Sequence, residues 1–361
     1  MQTIKAAVCR SFGDPLVIED IQLAPPGLGE VEVTLDAVAI CHSDISYAEG
    51  AWGGDLPAVY GHEAAGTITA AGDGVDGFGI GDSVVVTLIR ACGSCPSCAG
   101  GKPTICETPY DGNKGPIRTA DGGVLDQAMA CGAFAEKVVV SHRQIVKLPE
   151  TMSKQVACLL SCGVITGVGA AVNAAGLRAG QDVVVIGAGG VGLNAIQGAR
   201  IAGARRIVAV DMTEEKLEIA KEFGATHGVL ATQKSPWRAS YKALGGRGAD
   251  AVLVTVGAIP AYDQAPRYLG RGGKAIIIGM PHSGAMSSYE PVMLAALGQG
   301  MVGSKMGDVV IQRDIPWMID LYEQGRLKLD ELISGRWKLD QINEAIADTK
   351  TGSAKRNVIV F

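Results

Sequence analysis

Four cysteines lie within fifteen residues, in the spacing Cys92-x2-Cys95-x2-Cys98-x7-Cys106. The loop that carries them can wrap around an ion because it is rich in turn residues, namely Gly93, Gly100, Gly101 and Pro103. Four thiolates without a histidine are typical of closed, tetrahedral zinc sites that stabilise a fold. An iron–sulfur cluster is the alternative, but the bacterial ferredoxin run has a shorter last spacing and a following proline, whereas Glu107 follows here. We therefore predict a structural zinc ion, which cannot activate a substrate because the protein supplies all four ligands.

The other cysteines and histidines are scattered along the chain: Cys9, Cys41, Cys131, Cys158, Cys162, His42, His62, His142, His227 and His282. Taken singly, such residues are more often core thiols or surface imidazoles than metal ligands. Three segments nevertheless combine thiol or imidazole groups with further polar side chains or glycines: Cys41-His42-Ser43-Asp44, Gly61-His62-Glu63-Ala64-Ala65-Gly66 and Ser161-Cys162-Gly163. We expect the first two at strand or turn positions of a first domain, and the third just before a second domain.

A glycine-rich segment suited to binding a dinucleotide follows, with the pattern G-x-G-x-x-G from Gly187 to Gly192. It comes after the β-branched run Val183–Ile186, which predicts a buried parallel strand, and it opens a predicted helix from Val191 to about Ala202. In such a turn Gly187 permits the bend, Gly189 lets the backbone approach a pyrophosphate, and Gly192 allows close helix–strand packing. The helix N-terminus then faces the phosphates.

The strand after this helix indicates which dinucleotide is preferred. Ile207–Val210 ends at Asp211, nineteen residues beyond Gly192, where a carboxylate that binds the adenosine ribose is expected. Met212 follows, and no arginine stands nearby to pair with a 2′-phosphate. The sequence therefore favours NAD over NADP.

The elements that must position these residues fall into two patterns. Residues 1 to about 90 alternate short β-rich runs with Gly, Pro and Asp turns, which is typical of an antiparallel barrel. From Val183 to about Ile278 strands alternate with helices, which predicts a doubly wound parallel sheet, while Lys154–Leu177 has a helical pattern. We expect the C-terminal segment to return to the first domain, and a metal bound by two thiolates and an imidazole to lie between the domains, facing the nicotinamide.

Composition excludes several classes of function. The chain has 361 residues, about two domains, with 47% hydrophobic and 19% charged residues. Its net charge of −5, without a basic run, argues against nucleic acid and anionic membranes as partners. The N-terminus lacks a basic region followed by a long apolar stretch, so we expect a cytoplasmic protein whose nine cysteines stay reduced. A small molecule is the expected ligand.

Together, the GHE block around His62, the four-cysteine loop and the GxGGVG block resemble zinc-dependent medium-chain alcohol dehydrogenases from about Lys5 to Phe361. The segment Ser161–Gly192 is also similar to the thiol-dependent formaldehyde dehydrogenase branch. The resemblance implies an α/β protein: a GroES-like β-barrel catalytic domain (1–163 and 306–361) and a Rossmann NAD-binding domain (164–305). It also implies two zinc ions per subunit, NAD as cofactor, and a homodimer or homotetramer, with the Gly300–Ser304 strand as a candidate for pairing.

The resemblance further implies roles for individual residues. Cys41, His62 and Cys162 would bind a catalytic zinc ion, Asp44 would orient His62, Glu63 would lie beside the ion, and Ser43 would contact the substrate oxygen. The residues implied to bind the cofactor are His42, Thr166, Gly187, Gly189, Gly190, Val191, Gly192, Asp211, Lys216, Met280 and Arg356. Ser46 stands where many relatives carry a histidine that ends a proton relay, so the relay must end on water or another group.

The substrate slot above the catalytic zinc would be formed by Trp52, Leu88, Met129, Met280 and Lys305. Lys305 departs from the apolar character of the rest, so we expect it either to reach solvent or to meet an anionic group of the substrate. The predicted reaction is hydride transfer between an alcohol, aldehyde or ketone and NAD. Two alternatives remain: oxidation of a thiol–formaldehyde adduct, and a nucleotide-binding homologue without turnover.

Overall fold

Short strands dominate residues 1–150 of the computed structural model, which describes every residue from 1 to 361. The elements up to the second domain are β1 (Gln2–Cys9), β2 (Val17–Leu23), β3 (Glu30–Ala39), α1 (His42–Ala48), β4 (Ala58–Val59), β5 (Glu63–Ala71), β6 (Ser83–Val86), α2 (Pro96–Ala99), β7 (Ile117–Thr119), β8 (Asp126–Gln127), β9 (Lys137–Ser141), β10 (Ile145–Lys147) and α3 (Lys154–Ala157). Glycine, proline and aspartate turns separate most of these strands, as the composition predicted.

Strands and helices alternate in the next part of the chain. They are α4 (Gly163–Gly169), β11 (Asp182–Ile186), α5 (Gly190–Ile201), β12 (Arg206–Asp211), α6 (Glu214–Phe223), β13 (His227–Leu230), α7 (Pro236–Ala243), β14 (Ala249–Val254), α8 (Ile259–Tyr268), β15 (Leu269–Ile277), α9 (Pro291–Leu297) and β16 (Gly300–Gly303). The chain ends with α10 (Ile311–Glu323), β17 (Ile333–Trp337), α11 (Ile342–Lys350) and β18 (Arg356–Val360).

The first unit comprises Met1–Cys162, Val310–Tyr322 and Leu329–Phe361. One sheet has the order β7-β2-β1-β4-β8, and the other has the order β10-β6-β5-β3-β18-β17, with β9 also on β3. Most pairs are antiparallel, and aliphatic residues of both sheets form one core, including Val8, Ile21, Val33, Ala64 and Val84. The pairing of β18 with β3 brings the C-terminus back to this unit.

The second unit comprises Gly163–Val309 and Glu323–Lys328. Its six-stranded sheet is parallel throughout, in the order β13-β12-β11-β14-β15-β16. All five residues of β11 are buried, as expected for a central strand covered on both faces. The predicted α/β class, a barrel-type domain plus a doubly wound domain, is confirmed. The domain limits 1–163 with 306–361 and 164–305 stay a prediction.

The structure differs locally from two sequence expectations. The helical pattern of Lys154–Leu177 is interrupted at Cys162, whose φ of −147° and ψ of −68° are not helical. The segment that begins at Cys41 is not at a strand or turn position, because His42 starts helix α1. The Asp44 carboxylate accepts a hydrogen bond from the Cys41 N–H at 3.0 Å, which is part of a capping box at the start of this short helix.

No single helix is long and apolar enough to cross a membrane, and one bent pair, Lys154–Ser161 with Gly163–Ala174, qualifies on length and composition alone.

Candidate metal centres and nucleotide-binding turn

Three residues that are distant in the sequence meet at one place in the first unit: Cys41 at the start of α1, His62 just before β5, and Cys162 at the end of the unit's first chain segment. With Glu63, they offer four potential ligand atoms that all lie within 4.8 Å of one another. All four residues are buried. Two thiolates and an imidazole are a ligand set that zinc prefers.

The orientation of His62 supports metal binding. Its Nδ1 lies 2.8 Å from Asp44 Oδ1, and its Nε2, although fully buried, has no hydrogen-bond partner. A buried imidazole nitrogen without a partner is costly, whereas a metal ion would satisfy it. A carboxylate on the other ring nitrogen is the usual companion of a metal-binding histidine. The residues present therefore fit a zinc ion.

The buried thiols and imidazole of this cluster shift one another's pKa values. The hydrogen bond between the two thiols lowers the pKa of Cys41 well below its ordinary value and raises that of Cys162 well above it. Burial lowers the pKa of His62, but the charge and hydrogen bond of Asp44 raise it well above its ordinary value. Because a metal ion binds thiolates and a neutral imidazole, binding here would release protons.

Glu63 and Arg356 form a second buried pair beside these ligands. Arg356 Nη1 lies 3.6 Å from Glu63 Oε1, and both side chains are almost fully buried. Burial raises the pKa of Glu63 to about 8, although Arg356 opposes this rise. The structure thus places Arg356 against Glu63, a contact for which the sequence has no local signal. The predicted contact of Arg356 with a pyrophosphate stays a prediction.

The four cysteines of the loop at residues 92–106 also converge. Cys92 Sγ lies 4.0 Å from Cys98 Sγ, and Cys95 Sγ lies 3.9 Å from Cys106 Sγ. Tetrahedral zinc with Zn–S distances of about 2.3 Å requires sulfur–sulfur separations of roughly 3.8 Å. A hydrogen bond from the Thr108 side chain, with backbone N–H groups, lowers the pKa of Cys92 to about 5, whereas burial raises the pKa of Cys98 to about 12, so the fit to zinc rests on the sulfur geometry. The donor set therefore fits a structural zinc ion.

The glycine-rich turn of the second unit has the geometry of a phosphate-binding turn. Gly187, directly after β11, has a φ of +98°, a backbone angle that residues other than glycine rarely adopt. Gly189 precedes α5 and leaves the N-terminus of that helix without a side-chain cap. A Cβ at Gly192 would lie 2.8 Å from the Gly187 carbonyl carbon, so only glycine fits there. The uncapped helix N-terminus suits an anion.

Asp211 ends β12 beside this turn. Its Oδ2 accepts a hydrogen bond from the Ala188 N–H at 2.6 Å, and its Oδ1 accepts one from the Met212 N–H at 2.7 Å. Lys216 Nζ lies 4.0 Å from Asp211 Oδ1. The structure thus brings the predicted ribose-binding pair together next to the turn.

The remaining predicted residues differ in exposure. Of the first unit, His42 is exposed, while Ser43, Trp52, Leu88 and Met129 are half-buried. Of the second unit, Thr166 is buried with its Oγ1 3.7 Å from Met306 Sδ, whereas Met280 and Lys305 are exposed. Their contacts with substrate or cofactor stay predictions.

Two family profiles match this chain. Residues 27–150 match the alcohol dehydrogenase GroES-like domain, and residues 190–324 match the zinc-binding dehydrogenase domain. The chain therefore belongs to the zinc-dependent medium-chain alcohol dehydrogenase family and is a zinc-dependent oxidoreductase.

Individual relatives cover nearly the whole chain. An NDMA-dependent alcohol dehydrogenase of Amycolatopsis methanolica is 36% identical over 365 residues, which is 99% of this chain and 98% of the relative. The "Probable S-(hydroxymethyl)glutathione dehydrogenase 1" of Schizosaccharomyces pombe is 34% identical, over 99% of this chain and 97% of the relative. The crystal structure of benzyl alcohol dehydrogenase from Acinetobacter calcoaceticus superposes with a TM-score of 0.93 at 30% identity, over 100% of both chains.

Proposed function

We propose that this enzyme transfers a hydride between an apolar alcohol and NAD, with two zinc ions per subunit. The observation that carries the proposal is the buried cluster of Cys41, His62 and Cys162, in which His62 Nε2 has no hydrogen-bond partner. Three protein ligands are typical of catalytic zinc, which keeps a position open, whereas four cysteines are typical of structural zinc. Cys92, Cys95, Cys98 and Cys106 would hold the second ion.

Cys41, His62 and Cys162 would hold the catalytic zinc ion, which supplies Lewis acidity toward the alcohol or carbonyl oxygen. Asp44 keeps a proton on His62 Nδ1 and leaves Nε2 available as a ligand. Ser43, in the first turn of α1, would exchange a proton with the substrate oxygen. Ser43 and Ser46 are half-buried, and a serine hydroxyl cannot act as a base near neutral pH, so the proton would finally pass to water or another group.

Asp211, Lys216 and the turn around Gly189 would bind the adenosine half of NAD. The Asp211 carboxylate would accept hydrogen bonds from a ribose but repel a 2′-phosphate, which favours NAD over NADP. Because the similar A. methanolica enzyme is named for its dependence on NDMA, this choice of electron acceptor has to be tested directly.

The expected substrate is a hydrophobic or aromatic alcohol. Leu88 and Met129 are apolar, half-buried and packed on the core of the first unit, and Trp52 makes an edge-to-face contact with Tyr47 of α1 at 4.9 Å. Lys305 is exposed, which lets its ammonium stay solvated without an anionic substrate group. If Lys305 did bind an acidic alcohol, Lys305→Met would raise KM for that alcohol by roughly ten- to a hundredfold and spare a neutral one.

The test is a turnover screen of the purified, zinc-analysed protein with ethanol, benzyl alcohol and an acidic alcohol. Each alcohol is assayed with three electron acceptors: added NAD, added NADP, and NDMA without any added nicotinamide cofactor. Turnover of benzyl alcohol with NAD and zinc near two per subunit are the expected results. Absence of turnover with every acceptor despite full zinc content would refute the proposal, and one zinc ion per subunit would refute the catalytic site.

Oxidation of a thiol–formaldehyde adduct is the second candidate function, and the similarity to the S. pombe protein favours it. Formaldehyde oxidation that requires added glutathione would support this candidate. Equal rates with and without glutathione would reject it.

We also propose that the enzyme is a homodimer or homotetramer. Strand β16 lies at the edge of its sheet, and α9, which precedes it, has no buried residue. Large apolar side chains are exposed along this segment: Met286, Val292, Met293 and Val302. Such an edge favours pairing with a second copy. Light scattering should show that the wild-type protein is an oligomer and that Val302→Lys shifts it toward the monomer. A monomeric wild-type protein would refute this proposal.

We propose a cytoplasmic location because it suits nine free cysteines, and cell fractionation would test it.

A further inference from the structure

The short turn between β8 and β9 has an unusual backbone. Met129 has a φ of 52° and a ψ of 28°, and the next residue, Ala130, has a φ of 56°. Neither residue is glycine, and the left-handed backbone conformation is unfavourable for residues that carry a Cβ. Two such residues in succession persist only where surrounding contacts hold them.

The fully buried Gln144 supplies part of that support. Its Nε2 donates one hydrogen bond to the Ala130 carbonyl and one to the Thr87 carbonyl, each at 3.0 Å. A side-chain amide has two N–H groups, and both are used here. Thr87 directly precedes Leu88, and Ala130 directly follows Met129, so one amide connects the backbone beside both predicted substrate-slot residues.

Further hydrogen bonds make this connection rigid. Gln127 Nε2 donates to the Cys131 and Val139 carbonyls at 3.0 Å each, and the Tyr110 hydroxyl donates to Gln127 Oε1. The Cys131 thiol donates to the same Thr87 carbonyl at 3.2 Å. Buried polar groups that are fully paired restrict a backbone to one conformation.

This turn lies next to the predicted catalytic cluster in the same unit. Ala133, just after the turn, donates its N–H to the Gly61 carbonyl at 2.9 Å, one residue before His62. On the other side, Val86, which directly precedes Thr87, is paired with Ala64, which directly follows Glu63. The turn and the strand end that Gln144 joins therefore border His62 and Glu63.

We propose that Gln144 is a positioning residue that sets the size of the alcohol accepted by this site. It does not touch the substrate. By holding the Thr87 and Ala130 carbonyls, it fixes Leu88 and Met129 at one separation, and a loosened turn would let Met129 move into or out of the slot. This inference rests on the proposed function, because it takes Leu88 and Met129 as walls of the substrate slot.

The test compares Gln144→Leu with Gln197→Leu. Gln197 is also fully buried, and its amide donates to the Lys328 carbonyl at 3.0 Å and accepts from the Lys328 N–H at 2.8 Å, so the control removes a similar hydrogen-bonding side chain from the second unit. We expect Gln144→Leu to change KM for benzyl alcohol by about tenfold, while KM and kcat for ethanol change less than about threefold and zinc is retained. Gln197→Leu should not distinguish the two alcohols.

A second measurement does not depend on turnover. The N–H groups of Cys131 and Gly132 donate to the Ala128 carbonyl within the turn, at 3.1 and 3.2 Å. In the zinc-loaded protein, Gln144→Leu should speed their hydrogen exchange by about tenfold or more, and Gln197→Leu should not. Ala130→Gly in the Gln144→Leu background should return the benzyl alcohol KM toward the wild-type value, because glycine adopts the left-handed conformation without support.

Unchanged exchange at Cys131 and Gly132 would overturn the positioning role, and equal changes of KM for both alcohols would overturn the role in substrate size. A wild-type protein that oxidises neither alcohol would refute the proposed function instead. The exchange experiment would still decide whether Gln144 holds the turn.

Discussion

Alanine at Gly189 should weaken nucleotide binding without loss of stability, whereas alanine at Gly192 should destabilise the fold. Both glycines belong to the same turn, but their surroundings differ. A Cβ at Gly189 would meet no atom within 4 Å, and the φ of −79° there is accessible to alanine. A Cβ at Gly192 would lie 2.8 Å from the Gly187 carbonyl carbon and 3.0 Å from Thr255 Oγ1. The two substitutions therefore separate space kept for a ligand from space used by the fold.

The magnitudes follow from these contacts. Gly189→Ala should leave the protein as stable as the wild type or stabilise it by about 0.5 kcal/mol, because alanine restricts the unfolded chain. If the pyrophosphate approaches the backbone at this point, the added methyl group should weaken NAD binding by roughly 10- to 100-fold, or about 1.4–2.7 kcal/mol. Gly192→Ala forces a methyl group into a filled site, which should cost about 1–3 kcal/mol and lower the Tm by roughly 3–10 °C.

Titration of each variant with NAD, followed by calorimetry or by tryptophan fluorescence, gives Kd, and a thermal melt without nucleotide gives the Tm. The Kd and the Tm of each variant must be compared, because only a loss of NAD affinity at an unchanged Tm identifies a contact with the ligand. Wild-type affinity in Gly189→Ala would show that no phosphate lies against this residue. A Tm loss in Gly189→Ala as large as that in Gly192→Ala would contradict the geometry of the turn.

Three further predictions concern the metals, the coenzyme and one acidic residue. Cys162→Ala should abolish turnover and remove one zinc ion per subunit, but the protein should remain folded. Cys98→Ala should instead lower the Tm, because a structural zinc ion stabilises the fold. If Cys98→Ala abolished turnover in a stable protein and Cys162→Ala lowered the Tm, the two sites would be exchanged. Asp211→Gly should weaken NAD binding and improve the relative use of NADP. An unchanged ratio of kcat/KM for NAD to kcat/KM for NADP would show that Asp211 does not contact the ribose. Burial, Asp55 and Asp111 raise the pKa of Asp126 to about 6, so the folded state loses stability as the pH rises from about 4 through 6 and this carboxyl ionises. Asp126→Asn should therefore raise the Tm at pH 7.5, and this gain should shrink as the pH falls toward 4; a gain independent of pH would exclude the charge as its cause.

The sequence predicted best what is local in the chain. The strand, turn and helix around Gly187 and the loop from Cys92 to Cys106 each complete their geometry within a few residues, so spacing alone indicates their chemistry. The alternation of strands and helices after Val183 likewise predicted the parallel sheet, and this fold class is confirmed.

Contacts between distant segments could not be predicted in this way. The segments that carry Cys41, His62 and Cys162 have recognisable chemistry, but only resemblance to a family assigns these three residues to one ion, because no periodicity connects three separate segments. The ion pair between Glu63 and Arg356 connects strands β5 and β18, which lie on either side of β3, and a contact between segments so distant in the chain has no local signature. The helix that begins at His42 is only seven residues long, too short for a helical pattern to be recognised.

Asp44 explains how the fold prepares the metal site before an ion is bound. Its carboxylate accepts hydrogen bonds from the Cys41 N–H and the Gly61 N–H at 3.0 Å each, and it holds His62 Nδ1 at 2.8 Å. All three partners can be donors, so residue 44 must offer only acceptors, which an ionised carboxylate does and an amide does not. Because the same carboxylate caps α1 and anchors the segment before β5, the positions of two ligands are set by folding itself. Little conformational entropy is then left to lose when zinc binds.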